Sequence, residues 1–279
     1  MDRDSSREMV DHVVDFFDGF APLYDGWAGG QHGRVALRLV ELANPAKDEH
    51  VLDVGTGTGL VAHLVAPRVD PGWVIGIDLS DNMLSIARAK KDKNVQFLGM
   101  AAEHLVFRPK TFDLVTMSEA LTYLADPAAA IDEAHRVLRP GGRLAISIQR
   151  RSLNTRAQEL FFQALAPLAR RHYLELPRYS NARAGFGEPR ILRQMLDEAG
   201  FDVGPVTDMV TGGRTKNARE WTDLMAGAGP RPYTLIKALG PRYRNELEAE
   251  VEAAMESLGD PDDAFRYHHS YVLAVATKQ

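Results

Sequence analysis

No cysteine occurs in the 279 residues of the chain, which excludes disulfide bonds, thiolate zinc sites and a cysteine nucleophile. The sequence also lacks an apolar run of membrane-spanning length. Basic residues are not clustered and the formal net charge is −5, so we expect no nucleic acid partner. No secretory leader pattern is present, and we therefore expect a cytoplasmic location.

Nine histidines are present, but their spacing is not typical of a metal site. His268 and His269 are adjacent, and neighbours on a strand point to opposite faces, so the two do not readily share one ion. Scattered histidines such as His32 are expected to be packed or solvated. We therefore expect no metal.

A glycine-rich turn between two apolar segments is the most informative pattern. VLDVGTGTG (51–59) leads from a buried strand to glycines at 55, 57 and 59, where the main chain can approach a ligand. A second apolar segment ends at Asp78, whose carboxylate is placed to accept two hydrogen bonds from a ribose diol. The order strand, turn, helix, strand, acid fits one βαβ unit and favours a nucleotide site over an ordinary turn.

The glycine spacing disfavours a dinucleotide cofactor. In the NAD fingerprint a third glycine follows the second by three residues, and Leu60 stands there in this chain. A nicotinamide oxidoreductase is therefore the least favoured of the functions considered.

Strand and helix patterns alternate through the first half of the chain, which predicts an α/β fold with a parallel doubly wound sheet. The predicted strands are 51–54, 73–78, 95–99, 112–117, 143–148, 202–210 and 266–277. The predicted helices are 9–20, 60–66, 81–91, 127–139, 188–199 and a long stretch over 153–176 that includes Leu153 and Leu174.

Four segments carry a family resemblance: FFDGFAPLYDGWA (16–28), VLDVGTGTG (51–59), GIDLSDNMLSIARAK (76–90) and FDLVTMSEALTYLADPAAAIDEAHRVLRPGGRLAIS (112–147). Together they resemble the class I S-adenosylmethionine (SAM) dependent methyltransferases. The likeness is to the small-molecule branch with ubiquinone and menaquinone C-methyltransferases and natural-product enzymes. The resemblance implies SAM as cofactor, S-adenosylhomocysteine as product, and a Rossmann-like seven-stranded sheet of order 3-2-1-4-5-7-6 with strand 7 antiparallel.

The resemblance also suggests a division of the chain. We expect an N-terminal helical cap (1–48), a SAM-binding Rossmann-like core (49–149), a lid insertion (150–187) and a C-terminal part (188–279) with a helical insertion at 211–264.

The glycine turn and the strand ends are expected to bind SAM. Gly55 and Gly57 would approach its amino acid part, and the resemblance places Asp53 near its ammonium group. Leu79 and Met83 would flank the adenine, although Met83 fits a core position equally well. The predicted cofactor-binding residues are Asp53, Gly55, Thr56, Gly57, Gly59, Asp78, Leu79, Met83, Ala101, Ala102 and Met117.

The chain departs from the family pattern at two places. After the third strand it reads MAAEHLVF where relatives often read GDAxxLPF, so Ala101 stands at the position of an adenine-binding aspartate. Glu103 is a candidate replacement, set against an ordinary solvated role. Thr122 and Tyr123 stand where many relatives carry paired histidines, so the usual histidine base is missing.

Tyr24, Glu119 and Tyr123 are the candidate catalytic residues, able to orient or deprotonate an acceptor. Tyr24 is the first choice, because its hydroxyl can hydrogen-bond cofactor or acceptor while its ring flanks the sulfonium. Ordinary roles are open for each: aromatic packing for Tyr24, and a structural role at a helix start for Glu119 and Tyr123.

The predicted function is methyl transfer from SAM to an O, N or C atom of a small, partly apolar acceptor, including aromatic natural products. Two alternatives stay open: a quinone C-methyltransferase of primary metabolism, and a SAM-binding protein without methyl transfer.

Overall fold

The computed structural model describes residues 3–150, 155–171, 185–260 and 262–279. Its strands are β1 His50–Val54, β2 Trp73–Asp78, β3 Val95–Gly99, β4 Phe112–Ser118, β5 Leu138–Arg150, β6 Phe201–Arg214 and β7 Arg266–Lys278. They form one sheet of order β3-β2-β1-β4-β5-β7-β6, in which β7 runs antiparallel to β5 and β6. The expected strand order and the antiparallel seventh strand are confirmed.

Helices cover both faces of the sheet and form a further layer beyond its carboxyl edge. They are α1 Arg3–Tyr24, α2 Gln31–Ala43, α3 Leu60–Val69, α4 Asp81–Ala89, α5 Pro127–Val137, α6 Arg156–Arg171, α7 Pro189–Glu198, α8 Ala218–Ala226 and α9 Pro230–Glu256. Short 3-10 turns lie at Trp27–Gly29, at Leu121–Tyr123 and at 185–187.

Helix starts next to the strand ends are fixed by side-chain caps. The Ser80 hydroxyl accepts the main-chain N–H of Met83 at 3.1 Å, which begins α4 directly after β2. Asp126 caps α5 in the same way through Ala129, and Pro127 supplies its first turn. These caps hold the strand-to-helix connections at the carboxyl edge of the sheet in place.

Three apolar clusters hold the layers together. One packs α5 and α7 on one face of the sheet, and a second packs α2, α3 and α4 on the other. The third joins α1 to α6, α8 and α9 through side chains that include Phe16, Phe20, Phe161 and Trp221. Since α1 takes part in this third cluster, the N-terminal helix is held over the carboxyl edge of the sheet.

Some predicted element limits differ from the structure. The sixth strand continues to Arg214 rather than ending at 210, because it pairs with β7 as far as Arg266. The first helix starts earlier and ends later than the predicted 9–20. The outer parts of the predicted 153–176 stretch, with Leu153 and Leu174, lie outside the described residues.

Candidate functional site

A cavity of about 730 Å³ lies at the carboxyl ends of β1, β2 and β4, under α1. This is where ligands bind in an open parallel sheet whose strand order reverses. Its α1 wall is apolar and is formed by Val10, Val13, Val14 and Phe17. Predicted site residues in its lining are Tyr24, Gly55, Gly57, Asp78, Leu79, Met83, Ala101, Ala102, Glu119 and Tyr123.

Asp78 presents its carboxylate at the end of β2. Oδ2 accepts the N–H of Gly57 at 2.8 Å and Oδ1 accepts the N–H of Ser80 at 3.0 Å. Burial raises the pKa of the Asp78 carboxyl, while these main-chain donors oppose the rise. Each carboxylate oxygen can accept a further hydrogen bond, so the pair can still receive a diol.

The glycines of the turn serve different purposes. A Cβ on Gly55 would lie 2.6 Å from the Cβ of Ala120, so packing against the β4–α5 connection requires glycine there. Gly57 has φ +54°, and a Cβ on it would meet no atom within 4 Å, so bare main chain faces open space. Gly59 has φ +81° at the start of α3, where a Cβ would collide with His63 and Phe97. Packing therefore explains why glycine is needed at position 59, and Gly59 does not line the large cavity.

Residues after β2 and β3 complete the cavity lining. Leu79 is 45% exposed, whereas Met83 is buried beneath the cavity wall. Ala101 and Ala102 also lie in the lining, with Glu103 beside them. The Glu103 Oε1 accepts the main-chain N–H groups of residues 125 and 126 at 2.8 and 3.1 Å, which ties this loop to the start of α5.

Asp53 lies apart from the large cavity. Its two oxygens accept the hydroxyls of Thr56 and Thr116, each at 2.6 Å. Burial raises the pKa of the Asp53 carboxyl to about 6, although both hydroxyl hydrogen bonds act to lower it. Asp53 and Thr56 instead line a second, smaller cavity of about 20 Å³, which is large enough for one water molecule.

The structure does not bring Met117 to either described cavity. Its side chain is fully buried in the cluster between the sheet and α5. The reason is strand alternation, which turns Met117 away from the face that carries Thr116 and Ser118. Any contact of Met117 with a ligand would have to come from its main chain.

The three candidate catalytic residues meet where the two cavities adjoin. Tyr24 and Glu119 line both cavities, and Tyr123 lines the larger one. Glu119 has φ +56°, and its N–H donates to the main-chain oxygen of Ser147 at 2.9 Å, which fixes its direction. Burial, followed by the charge of Glu119, raises the pKa of the Tyr24 hydroxyl well above its usual value. Tyr24 therefore keeps its proton and serves as a hydrogen-bond donor rather than a base.

His32 joins this group. It is buried and packed between two aromatic rings, as expected of a packed histidine, and it also contacts a candidate catalytic residue. Its Nδ1 lies 2.9 Å from the Glu119 Oε1, and its ring stacks on Tyr24 with centroids 4.2 Å apart and planes 1° from parallel. The ring of Trp27 covers it at 5.2 Å. His32 and Glu119 are 87 residues apart, so sequence spacing gives no signal for this pair.

Two kinds of feature are absent from the described parts of the chain. There, His, Asp and Glu side chains do not gather in groups of three suited to a metal ion. No helix within those same residues is both long enough and apolar enough to cross a membrane.

Comparison with known proteins agrees with this geometry. A methyltransferase domain model matches residues 52–146. A demethylmenaquinone methyltransferase of Lactiplantibacillus plantarum is 32% identical over 213 residues, covering 70% of this chain and 90% of that protein. A ubiquinone biosynthesis O-methyltransferase of Thiobacillus denitrificans is 34% identical over 185 residues, covering 64% and 76%. The chain belongs to the class I SAM-dependent methyltransferases.

Solved structures share the fold of this methyltransferase. A putative methyltransferase from Bacillus halodurans gives a TM-score of 0.56 at 22% identity, covering 87% of this chain and 98% of that one. A phosphoethanolamine N-methyltransferase of Haemonchus contortus, in complex with S-adenosylhomocysteine, gives 0.54 at 20% identity, covering 94% and 57%. SAM is the cofactor of the family, and the bare main chain at Gly57 beside the Asp78 carboxylate fits such a ligand.

Proposed function

We propose that this methyltransferase transfers the SAM methyl group to an O, N or C atom of a small, partly apolar acceptor. The observation that carries the proposal is the junction of the two cavities. Gly55, Tyr24 and Glu119 line both of them, so a ligand end at the glycine turn lies next to ionisable side chains. A volume of about 730 Å³ lies within the usual range of small-molecule sites.

We further propose how the cavity holds the cofactor. Asp78 accepts the ribose hydroxyls, and Leu79, Met83 and the main chain of Ala102 flank the adenine. The methionine end lies at Gly55, with its ammonium group toward Asp53. In this orientation SAM supplies an electrophilic methyl carbon at the junction.

The protein's own contribution to the reaction is alignment and exclusion of water. Positioning two reactants in line lowers a barrier by about 7 to 11 kcal/mol. The apolar wall of α1 and the cluster behind it keep the site dry, and Tyr24 donates a hydrogen bond that orients donor or acceptor. Tyr123 lies edge-on to Phe17 at 5.1 Å and closes the α1 side of the cavity.

A quinone-type ring is a second candidate acceptor. It is favoured by relatives at 32–34% identity that are named for ubiquinone and menaquinone biosynthesis and of which this chain covers 76–90%. Because the aromatic layer formed by α6, α8 and α9 packs close to α1, we favour aromatic acceptors in either case.

Incubation with methyl-labelled SAM and a panel of acceptors tests the proposal. The panel contains phenols, reduced quinones and arylamines, and the labelled products are separated by chromatography. Transfer confined to reduced quinones would select the second candidate. Binding of S-adenosylhomocysteine without transfer to any member would contradict the proposed function.

A further inference from the structure

The sheet face beneath α2 becomes polar at the carboxyl edge. On β5, Ala145 packs in the apolar cluster with α2, whereas Gln149, which shares its face, is polar. On the antiparallel strand β7, Leu273 belongs to the same cluster and is followed toward that edge by Tyr271 and His269. A polar patch is thus buried under α2 at the carboxyl edge of the sheet.

Three buried atoms of this patch find no hydrogen-bond partner among the described residues: Gln31 Nε2, His269 Nε2 and Tyr271 Oη. Their residues are 1%, 2% and 0% exposed. Thr211 is a polar neighbour on β6. Its hydroxyl donates to the Gln31 Oε1 at 3.3 Å, and it also acts on the Tyr271 hydroxyl from outside hydrogen-bond distance, which lowers the pKa of Tyr271. A buried polar group without a partner is destabilising, so three in one place point to a ligand.

All three atoms are hydrogen-bond donors in the orientation that the contacts define. The Gln149 Nε2 lies 2.8 Å from His269 Nδ1 and donates to it, which leaves the ring proton on Nε2. Burial lowers the pKa of His269 to about 4 and raises that of Tyr271, so both are neutral near pH 7. The Gln31 amide nitrogen is a donor at any pH. We call Gln31, His269 and Tyr271 the donor cluster.

The donor cluster adjoins the His32–Glu119 pair. The ring of Trp27 lies 5.2 Å from the rings of both His32 and His269. Gln31 directly precedes His32 on α2, and Thr211, which it contacts, pairs with His269 across β6 and β7. The charges of Glu119 and Tyr24 add to the rise in the pKa of Tyr271 that burial causes, which places both groups close to the cluster.

We propose that the donor cluster binds the oxygen of an acidic hydroxyl group on the acceptor, of phenol or enol type, and that His32 removes its proton. The inference rests on the proposed function and narrows its substrate class. Three donors without acceptors match an oxygen that gains negative charge, whereas an amine would bring further donors and leave them unpaired. Glu119 accepts the Nδ1 proton of His32 and so leaves Nε2 with a lone pair for the hydroxyl proton.

The proton transfer and the methyl transfer together form a balanced reaction with SAM as the methyl donor. The acceptor proton moves to His32 Nε2, and an electron pair of the resulting anion forms the bond to the methyl carbon. That pair comes from the oxygen in O-methylation or from the conjugated ring carbon in C-methylation. The carbon–sulfur bond breaks with its electrons returning to sulfur, which gives S-adenosylhomocysteine.

The Tyr271→Phe variant separates this role from a structural one. It removes only a buried hydroxyl whose polar neighbour, Thr211, already donates to Gln31, so the melting temperature should change little, and the Kd for S-adenosylhomocysteine should not change. We expect kcat/KM for a phenolic acceptor to fall tenfold or more. Tyr267→Phe, which removes a hydroxyl from the same face of β7, is the matched control and should leave kcat/KM unchanged. An unchanged kcat/KM in Tyr271→Phe would overturn the proposal.

A second measurement needs no turnover. A nitrophenol bound to the complex with S-adenosylhomocysteine is titrated spectroscopically. At a given pH, the ratio of its anion to its neutral form should be at least tenfold higher when it is bound than in water. This preference should shrink in Tyr271→Phe. In His32→Gln, kcat should fall about 100-fold for weakly acidic phenols and less for nitrophenols, because only the former need a base.

The outcomes separate this inference from the proposed function. Transfer to amines but not to phenols would overturn the donor cluster assignment and leave the proposed function intact. Absence of transfer to any acceptor would reject the proposed function, while the nitrophenol titration would still decide the cluster. No preference for the bound anion would overturn the assignment by itself.

Discussion

Replacing Asp53 by Asn should make the stability of the methyltransferase less sensitive to pH. The carboxyl of Asp53 is buried, and its pKa in the folded protein is raised from 3.8 to about 6. In that interval the folded state holds a proton that the unfolded state has released, so stability falls as pH rises. At 1.36 kcal/mol for each pH unit, the loss reaches about 3 kcal/mol by pH 7. Most of this loss should develop between pH 4 and 6.

The measurement is the free energy of unfolding by urea between pH 4 and 8. Asn cannot ionise, so the stability of Asp53→Asn relative to the native chain should increase by about 2.5 kcal/mol across this range, whatever its constant cost from altered contacts with Thr56 and Thr116. Asp132→Asn, at an exposed site on α5, is the control variant. A stability difference for Asp53→Asn that does not change with pH would show that this carboxyl does not titrate as its burial requires.

Protonation of Asp53 should also affect the binding of the cofactor. If the ammonium group of SAM lies near Asp53, the affinity for S-adenosylhomocysteine should weaken below pH 6, where the carboxyl takes up a proton. The affinity for 5′-methylthioadenosine, which has no amino acid part, should not follow this pH dependence. Equal pH profiles for both ligands would place the ammonium group elsewhere.

Three further changes test the large cavity. Asp78→Asn should weaken S-adenosylhomocysteine binding about 30-fold, which corresponds to about 2 kcal/mol for a charged hydrogen bond. The same variant should bind a 2′,3′-dideoxy analogue almost as well as the native chain does, because that analogue lacks the ribose hydroxyls. The control Asp81→Asn, at the start of the adjoining helix, should leave binding unchanged. Gly57→Ala and Gly141→Ala both place a Cβ in open space at positive φ, so both should cost about 1 kcal/mol of stability, but only Gly57→Ala should weaken cofactor binding in calorimetry. Glu103→Ala should weaken SAM binding several fold; an unchanged Kd would reject a role as replacement carboxylate, and retained affinity in Glu103→Gln would show that holding the loop is enough.

Sequence patterns sufficed for the parts of the fold that depend on local order. Strand and helix alternation, the glycine turn and the acid at position 78 are all read from short segments, and the family resemblance added the antiparallel seventh strand. Element limits were less well predicted where pairing decides them, since β6 extends to Arg214 only because β7 lies beside it. Pairing partners 50 or more residues away leave no local trace in the sequence.

In the candidate site, too, residues from short segments were predicted well, whereas contacts between distant segments were not. Residues next to the glycine turn and at the end of β2 were predicted to lie together, and the structure brings most of them to one cavity. Asp53 was expected near the same ligand, yet its two threonine partners place it at a separate small cavity. His32 could not be found from spacing, because α2 reaches Glu119 only through the packing of the whole sheet.

The N-terminal helix connects the two halves of the site. Asp18 accepts the hydroxyl of Ser80 at 2.5 Å, and Asp25 accepts that of Thr58 at 2.5 Å, so α1 and the residue after it are held to the strand ends that form the cofactor cavity. Tyr24 lies between these two anchors, lines the cavity, and stacks on His32. Displacing α1 would therefore open the cofactor cavity and at the same time remove the ring that orients His32. The family resemblance implies a histidine pair after β4, where this chain has Thr122 and Tyr123, and the proposed base His32, supplied from α2 and stacked on Tyr24, is a consistent physical substitute. Because Tyr24 belongs to α1, this arrangement requires α1 to be in place before His32 can activate the acceptor.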